Sequence, residues 1–413
     1  MRKIALLATA AAAALCVSLP VQAAPKHRLL ILSVDGLDWR YLRDADQMGL
    51  KIPTFRKLLA KSPAVAEGGV LGIWPTITWP SHTTMLTGAR PDQHGILANA
   101  FGKPDPAVRY WSANQIKVQT LYQCGRAAGY TSAAVNWPVT MNAQINWLMP
   151  EAYNIRNGET SDMATVVQYS TPGLMDEVAA ADAKFPNQWF DNESEVIASR
   201  YIITHKHPDL MLIHLGDLDG EEHAQGPFTQ DARGVVERMD DAVGKILAVL
   251  PKDYDFALVS DHGFEAIDHI ANLKAIAAAD GVTGDMSIDG GLVTTTDATV
   301  AAWLKTQAGK GDVGREVPHD ELARIAPLLA PSAAAFEPAP HVMFGKAATG
   351  PADTKSDTKG NHGFWPARPD YHSVFLMSGP GVAAFKPRTE IPMLTLASHF
   401  QDAMGLKCEK PAG

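Results

Sequence analysis

Three apolar runs in this chain each end in acid: RLLILSV (28–34) stops at Asp35, DLMLIHL (209–215) leads into Asp217 and Asp219, and YDFALVS (254–260) stops at Asp261. Runs that stay apolar at successive positions suit strands covered on both faces. Helical patterns separate them. QIKVQTLYQCGRAAG closes on Gly129 and leads into strand-like YTSAAVN, while DARGVVERMDDAVGKILAVL carries Val236, Met239, Val243, Ile246 and Leu250 at helical spacing. Strand and helix in alternation predict an α/β fold with a mostly parallel central sheet and helices on both faces. Ligands of such sheets gather beyond the carboxyl ends of the strands, so the three acidic ends are expected to meet in space.

Composition shifts after about residue 272, where Ala, Gly, Pro and Thr dominate and only ATVAAWLKTQA and HDELARIAPLL read as helices. We read 272–352 as an insertion or cap between a first part of the core, 24–271, and a last part, 353–413. PADTKSDTKG is polar and without periodicity, which predicts a mobile loop. YHSVFLMSGPGV and MLTLASHFQDAMGL return to the core as a strand and a helix.

At the N-terminus Arg2 and Lys3 precede an apolar run, Ile4 to Leu19, which Pro20 ends, and Val21 and Ala23 occupy the small-residue positions before a cut. The run is shorter than the roughly 20 residues of a spanning helix. Residues 1–23 are therefore expected to be an export signal, leaving a periplasmic or secreted product. Cys16 offers a lipoprotein signal as the competing reading, against which Leu15 is a large residue to precede a lipidated cysteine. The formal charge is -9, and about -11 without Arg2 and Lys3. Such acidity argues against nucleic-acid polymers or an anionic membrane as main partners and favours a small-molecule substrate. Cys124 and Cys408 are too few for a disulfide framework, and whether they pair stays open.

The chemistry is concentrated in a few polar positions. In DGEEHAQGP, Asp219 and His223 are spaced to reach one cation from a turn or short helix; Asp261 and His262 are adjacent in SDHGF; His362 sits among small or turn-forming residues in NHGF. With Asp35 these make three carboxylates and three imidazoles, a donor set suited to zinc. Singly, each has a plainer explanation as a turn, loop or cap, and His82, His94, His269 and His372 are read as capping or packing groups. Within WPTITWPSHTTMLTGARPDQHGILAN, Pro80 is placed to open a helix and Gly88 to close it, with Thr78 just ahead. A hydroxyl there meets unpaired backbone N–H groups and the positive helix end, where a phosphate would be held. The plain alternative is an N-cap threonine.

These segments resemble the nucleotide pyrophosphatase/phosphodiesterase family of the alkaline phosphatase superfamily. Thr76 to Asn99 is similar to its nucleophile motif, and Asp35 in LSVDG, Asp219 and His223, Asp261 and His262, and His362 match its metal motifs in order. The resemblance implies an alkaline-phosphatase-like three-layer sandwich with a small insertion. It implies two Zn²⁺, one held by Asp219, His223 and His362 and one by Asp35, Asp261 and His262 that also contacts Thr78. Thr78 would be the nucleophile, forming a phospho-threonine intermediate, and Asn99 with the backbone N–H of Trp79 would bind a non-bridging oxygen. Two Zn²⁺ against three Asp and a Thr78 alkoxide leave a near-neutral pocket that can accept an anion.

Monoesterase relatives usually add a Lys or Arg pair, whereas TSAAVNWPVT has no base and its Trp137 and Pro138 resemble the diesterase branch. A diester or pyrophosphate bond is therefore the expected substrate, with an alkaline phosphomonoesterase as the alternative. A phosphotransferase or mutase, and an inactive zinc-binding protein, rank lower. In nucleotide-cleaving relatives a Tyr before the first metal Asp helps stack the base, and His214 takes that position here. Glycerophosphodiesters or aryl diesters are thus also admitted. Sulfatases share the fold but need Cys or Ser at the position of Thr78.

Overall fold

The computed structural model describes residues 27–99, 112–152, 163–186 and 191–411. The expected export signal and Cys16 lie outside the described residues. Among the described residues no helix is long and apolar enough to cross a membrane.

The centre is a seven-stranded sheet. Along the chain its strands are β1 (Arg28–Val34), β2 (Ala64–Val65), β3 (Ser132–Val135), β4 (Trp147–Met149), β5 (Leu210–Leu215), β6 (Tyr254–Val259) and β7 (Phe375–Ser378). Across the sheet they run β2-β7-β6-β1-β5-β3-β4. β1 is parallel to both neighbours, and β3 is parallel to β4 and β5. Only β7 runs against its partners, β2 and β6. Six strands therefore point one way, and the parallel register of Val34 with Leu215 and of Ser33 with Val259 brings Asp35, Asp217 and Asp261 out at one edge.

Two helical layers cover the sheet. α1 (Pro53–Lys61), α4 (Asn192–His205) and α6 (Gln230–Leu247) lie on one face; α2 (Thr78–Thr87), α3 (Leu121–Ala127) and α7 (Leu396–Met404) on the other. Alternation along each strand assigns the contacts. Leu30, Leu32 and Val34 of β1 meet Phe55 of α1 and Ile202 of α4, while Leu29 and Ile31 meet Met85 of α2 and Phe400 of α7. Thr120 starts α3, its hydroxyl accepting the Gln123 N–H while Gln123 answers with its side chain, a reciprocal cap. Cys124 of α3 is disulfide-bonded to Cys408 beyond α7, which settles the pairing left open by the sequence.

A further helix, α5 (Asp217–Gln225), springs directly from the end of β5. Beyond β6 a separate four-stranded antiparallel sheet, built from Ser287–Asp289, Leu292–Thr295, Val313–Glu316 and Ala334–Pro338, packs on the helix Ala298–Gln307 around its own apolar cluster. The expected loop PADTKSDTKG is corrected in part. Asp353–Lys355 is a strand antiparallel to His269–Asn272, because an open sheet edge supplies backbone partners whatever the side chains.

Candidate active site

The acidic strand ends converge as their register requires. Asp35 follows β1, and its N–H donates to the Leu215 carbonyl at the end of β5, at 2.9 Å. Asp261 follows β6, and its Oδ1 accepts the Gly36 N–H at 3.1 Å, tying the two strand ends together. Gly36 has φ +70°, and a Cβ there would lie 2.9 Å from Glu222 Oε2, so glycine both makes the turn and admits the neighbour.

Six side chains form two adjoining clusters. In the first, His262 Nε2 lies 3.3 Å from Asp35 Oδ1 and 3.1 Å from Asp261 Oδ2. In the second, Asp219 Oδ1 lies 3.5 Å from His223 Nε2 and 3.4 Å from His362 Nε2. The rings of His262 and His362 stack at 3.7 Å, joining the clusters into one site.

The donor set fits divalent cations. Asp35 Oδ1, Asp261 Oδ2 and His262 Nε2 are buried, turned toward one another, and without a hydrogen-bond partner. His223 Nδ1–H donates to the Gly360 carbonyl at 3.0 Å and His362 Nδ1–H to the Thr76 carbonyl at 3.2 Å, so each presents Nε2 as a lone pair. An imidazole whose outer N–H is held by a carbonyl is the arrangement found around metal ions. Burial, and then the charges of Asp261 and Asp219, push the Asp35 carboxyl well above the usual range. Burial and neighbouring imidazoles push His262 and His362 well below theirs. Cations among these groups would remove the repulsion between the carboxylates while keeping the imidazoles neutral.

Thr78 is the first residue of α2, and Ile77 is the N-cap, without a side-chain cap bond. The sequence placed Thr78 ahead of a helix opened by Pro80; the helix begins two residues earlier, which sets the hydroxyl on its first turn and excludes the N-cap alternative. Asn99 is beside it, its Oδ1 accepting the Trp79 N–H at 2.9 Å. The Trp79 N–H expected to bind a non-bridging oxygen is thus engaged by Asn99. Thr76 joins this segment to the His362 loop, since its carbonyl accepts the Gly363 N–H at 3.0 Å and its hydroxyl donates to the Phe364 carbonyl at 2.7 Å.

Two expected substrate contacts are corrected. His214 is 1 % exposed, lies on the α2 side of β5, and places Nε2 3.2 Å from Asp35 Oδ2, so it backs the site and cannot stack on a base. Trp137 is fully buried in the core beneath α2, edge-on to the His82 ring. Motif similarity locates these residues along the chain; strand alternation turns His214 inward, whereas Trp137 is buried beyond the end of β3, after Asn136 at φ 54°.

Other polar groups around the site escaped the sequence reading. Glu222, fully buried between Asp219 and His223 in sequence, accepts the Tyr41 hydroxyl at 2.7 Å, and Tyr41 in turn accepts the Phe228 N–H at 2.8 Å. Burial pushes the Glu222 carboxyl well above the ordinary range, and its bond from Tyr41 ties α5 to the segment before Asp44. Its helical spacing of three from Asp219 puts both on one side of α5, a signal the sequence did carry. Away from the site, His269, Asp312 and Asp353 form a third His/Asp grouping, in which His269 Nε2 already meets Asp312 Oδ1 at 2.8 Å.

A family model described as type I phosphodiesterase / nucleotide pyrophosphatase matches residues 29–365. The human ectonucleotide pyrophosphatase/phosphodiesterase family member 7 is 25 % identical over 282 residues, covering 65 % of this chain and 55 % of that protein. Human family member 5 is 24 % identical over 392 residues, 86 % of this chain and 69 % of that one. The chain spans little more than half the length of the first of these relatives. Among solved structures, human ectonucleotide pyrophosphatase/phosphodiesterase 5 superposes with a TM-score of 0.63 at 18 % identity, over 94 % of this chain and 97 % of that one. The murine protein, as an inactive threonine-to-alanine variant in complex with AMP, gives a TM-score of 0.63 at 17 % identity, with the same coverage. The three-layer fold read from the sequence is the fold of these structures.

Proposed function

Because the chain belongs to the type I phosphodiesterase/nucleotide pyrophosphatase family, we propose that it is a two-zinc hydrolase that cleaves phosphodiester or pyrophosphate bonds in a small molecule through phospho-Thr78. The observation that carries this reading is the pair of His/Asp clusters joined by the stacked rings of His262 and His362, with their donor atoms turned inward. Asp219, His223 and His362 would hold one zinc, and Asp35, Asp261 and His262 the other, with Thr78 as a further ligand. Zinc supplies the positive charge that lowers the basicity of a threonine hydroxyl and neutralises the developing charge on phosphate oxygens.

The chain's own groups do the rest. Thr78, on the first turn of a ten-residue helix, offers its hydroxyl where backbone N–H groups and the helix dipole favour a phosphate. Its oxygen attacks phosphorus, the bond to one alcohol breaks in line, and that alcohol leaves. Water then displaces Thr78 from phospho-Thr78 and releases a monoester. Asn99, its oxygen held by Trp79 N–H, keeps its amide NH₂ to donate to a non-bridging oxygen as charge grows there. The inactive threonine variant of the murine relative supports the nucleophile, and its AMP supports a nucleotide-sized ligand.

The diester preference rests on the segment after β3. Where a monoesterase would carry a base, Asn136 donates to Glu195 at 2.5 Å and Trp137 is buried. The 272–352 segment carries none of the six donors, which supports reading it as an insertion. The apolar run over 1–23 supports export before the enzyme acts.

The test is the ratio of two rates on the zinc-loaded protein. Bis-p-nitrophenyl phosphate should turn over faster than p-nitrophenyl phosphate. The reverse order would replace the diesterase with a monoesterase, and cleavage of neither would remove the hydrolase.

A further inference from the structure

We infer that His82 is a positioning residue that sets the nucleophile Thr78 against the carboxylates of Asp35 and Asp261. The inference rests on the proposed nucleophile, but its geometry stands by itself. His82 lies one turn after Thr78 on α2 and is fully buried. Its Nδ1 is 2.8 Å from the Thr78 carbonyl oxygen. A carbonyl only accepts, so Nδ1 carries the hydrogen, and Nε2 is left to accept from the Ser33 hydroxyl at 2.9 Å. Ser33 stands on β1 two residues before Asp35. The same Nδ1 is 3.6 Å from Asp261 Oδ2. The ring edge meets His214 at 4.6 Å between centroids, and His214 in turn supports Asp35 at 3.2 Å.

One imidazole thus touches the backbone of the nucleophile, the strand of one carboxylate and the carboxylate of another. An apolar ring could fill the space, but it would leave the fully buried Ser33 hydroxyl without its acceptor and let α2 slide along the sheet. In-line attack is sensitive to such a slide, because a reacting atom misplaced by about 1 Å can cost about 100-fold in rate. His82 acts through Thr78 and does not touch substrate.

The experiment compares the full chain, zinc-loaded, with His82→Ala, His82→Asn and Ser33→Ala. Nitrogen-resolved NMR of histidine-labelled protein, with the His82 signal assigned by its loss in His82→Asn, should find the proton on Nδ1. A proton on Nε2 overturns the inference whatever the activity. For bis-p-nitrophenyl phosphate, His82→Ala should lose about 100-fold in kcat with KM within about threefold. Zinc content should equal that of the parent. Asn, whose amide nitrogen takes the place of Nδ1, should recover about tenfold of the loss, and the Ser33→Ala and His82→Ala losses should be non-additive. An unchanged kcat in His82→Ala, zinc lost in step with kcat, or Asn no better than Ala each overturns the inference. Should His82→Ala fail to fold, Ser33→Ala at parental kcat overturns it instead. Failure of the proposed function looks different: the parent is then inactive, or Thr78→Ala stays active, while the Nδ1 proton still reports on His82.

Discussion

Replacing Gly36 by Ala tests how tightly the two strand ends are locked together. Gly36 has φ +70°, and an L side chain in the left-handed region costs roughly 1 to 2 kcal/mol. The new Cβ would lie 2.9 Å from Glu222 Oε2 and 3.1 Å from two ring carbons of Phe264. Both neighbours are fully buried and cannot swing into solvent, so overpacking adds about 1 to 3 kcal/mol. The sum is roughly 2 to 5 kcal/mol. Unfolding entropy near 2.1 cal/mol/K per residue gives a chain of this length about 0.9 kcal/mol/K, so Tm should fall by about 2 to 6 °C. Gly129→Ala is the internal control: its φ is +80°, but nothing lies within 4 Å of its Cβ. That variant should lose only the backbone part, about 1 to 3 °C. Gly36 also donates its N–H to Asp261 at 3.1 Å, so Gly36→Ala should lose diesterase turnover that Gly129→Ala keeps. Calorimetric melts read against bis-p-nitrophenyl phosphate rates decide the matter. Equal melting temperatures and equal rates for the two variants would refute the steric reasoning.

Thr78→Ala should lose about 1,000-fold or more in turnover while folding and binding zinc as the parent does, and a fully active variant would eliminate the nucleophile. Burial holds His94 down to about 3, whereas an unfolded histidine takes its proton near 6.5. Its contribution to stability is therefore complete above about pH 6.5 and lost at about 1.4 kcal/mol per pH unit as pH falls toward 3. Urea unfolding at stepped pH should show that slope reduced in His94→Asn, and identical slopes would contradict it. Reducing Cys124–Cys408, which closes a loop of 284 residues, should cost up to about 5 kcal/mol by the chain-entropy account, and a Tm indifferent to reductant would oppose that.

The parallel core was legible because strands covered on both faces are apolar at most successive positions, and in β1, β5 and β6 the first acid after the run marks the end of the strand. Parallel register then made the meeting of Asp35, Asp219 and Asp261 foreseeable. Facing was harder to read. On β5, Met211, Ile213 and Leu215 turn toward α4 and α6, while Leu210 and Leu212 turn toward α2. The period of two therefore sends His214 inward with the second set, beneath α2, and motif similarity had overridden that period. His82 reads from sequence as a capping or packing group, although it repeats the position of Thr78 one helical turn on. The strand Asp353–Lys355 carried no signal of its own, because its pairing is made by backbone groups at an edge.

Six side chains from scattered segments are predicted to hold two cations beside Thr78. Anomalous diffraction at the zinc edge from crystals grown with zinc measures this directly. Two peaks are predicted, one bounded by Asp219, His223 and His362 and the other by Asp35, Asp261 and His262. Clusters without a peak, or zinc bound only elsewhere on the chain, would contradict it.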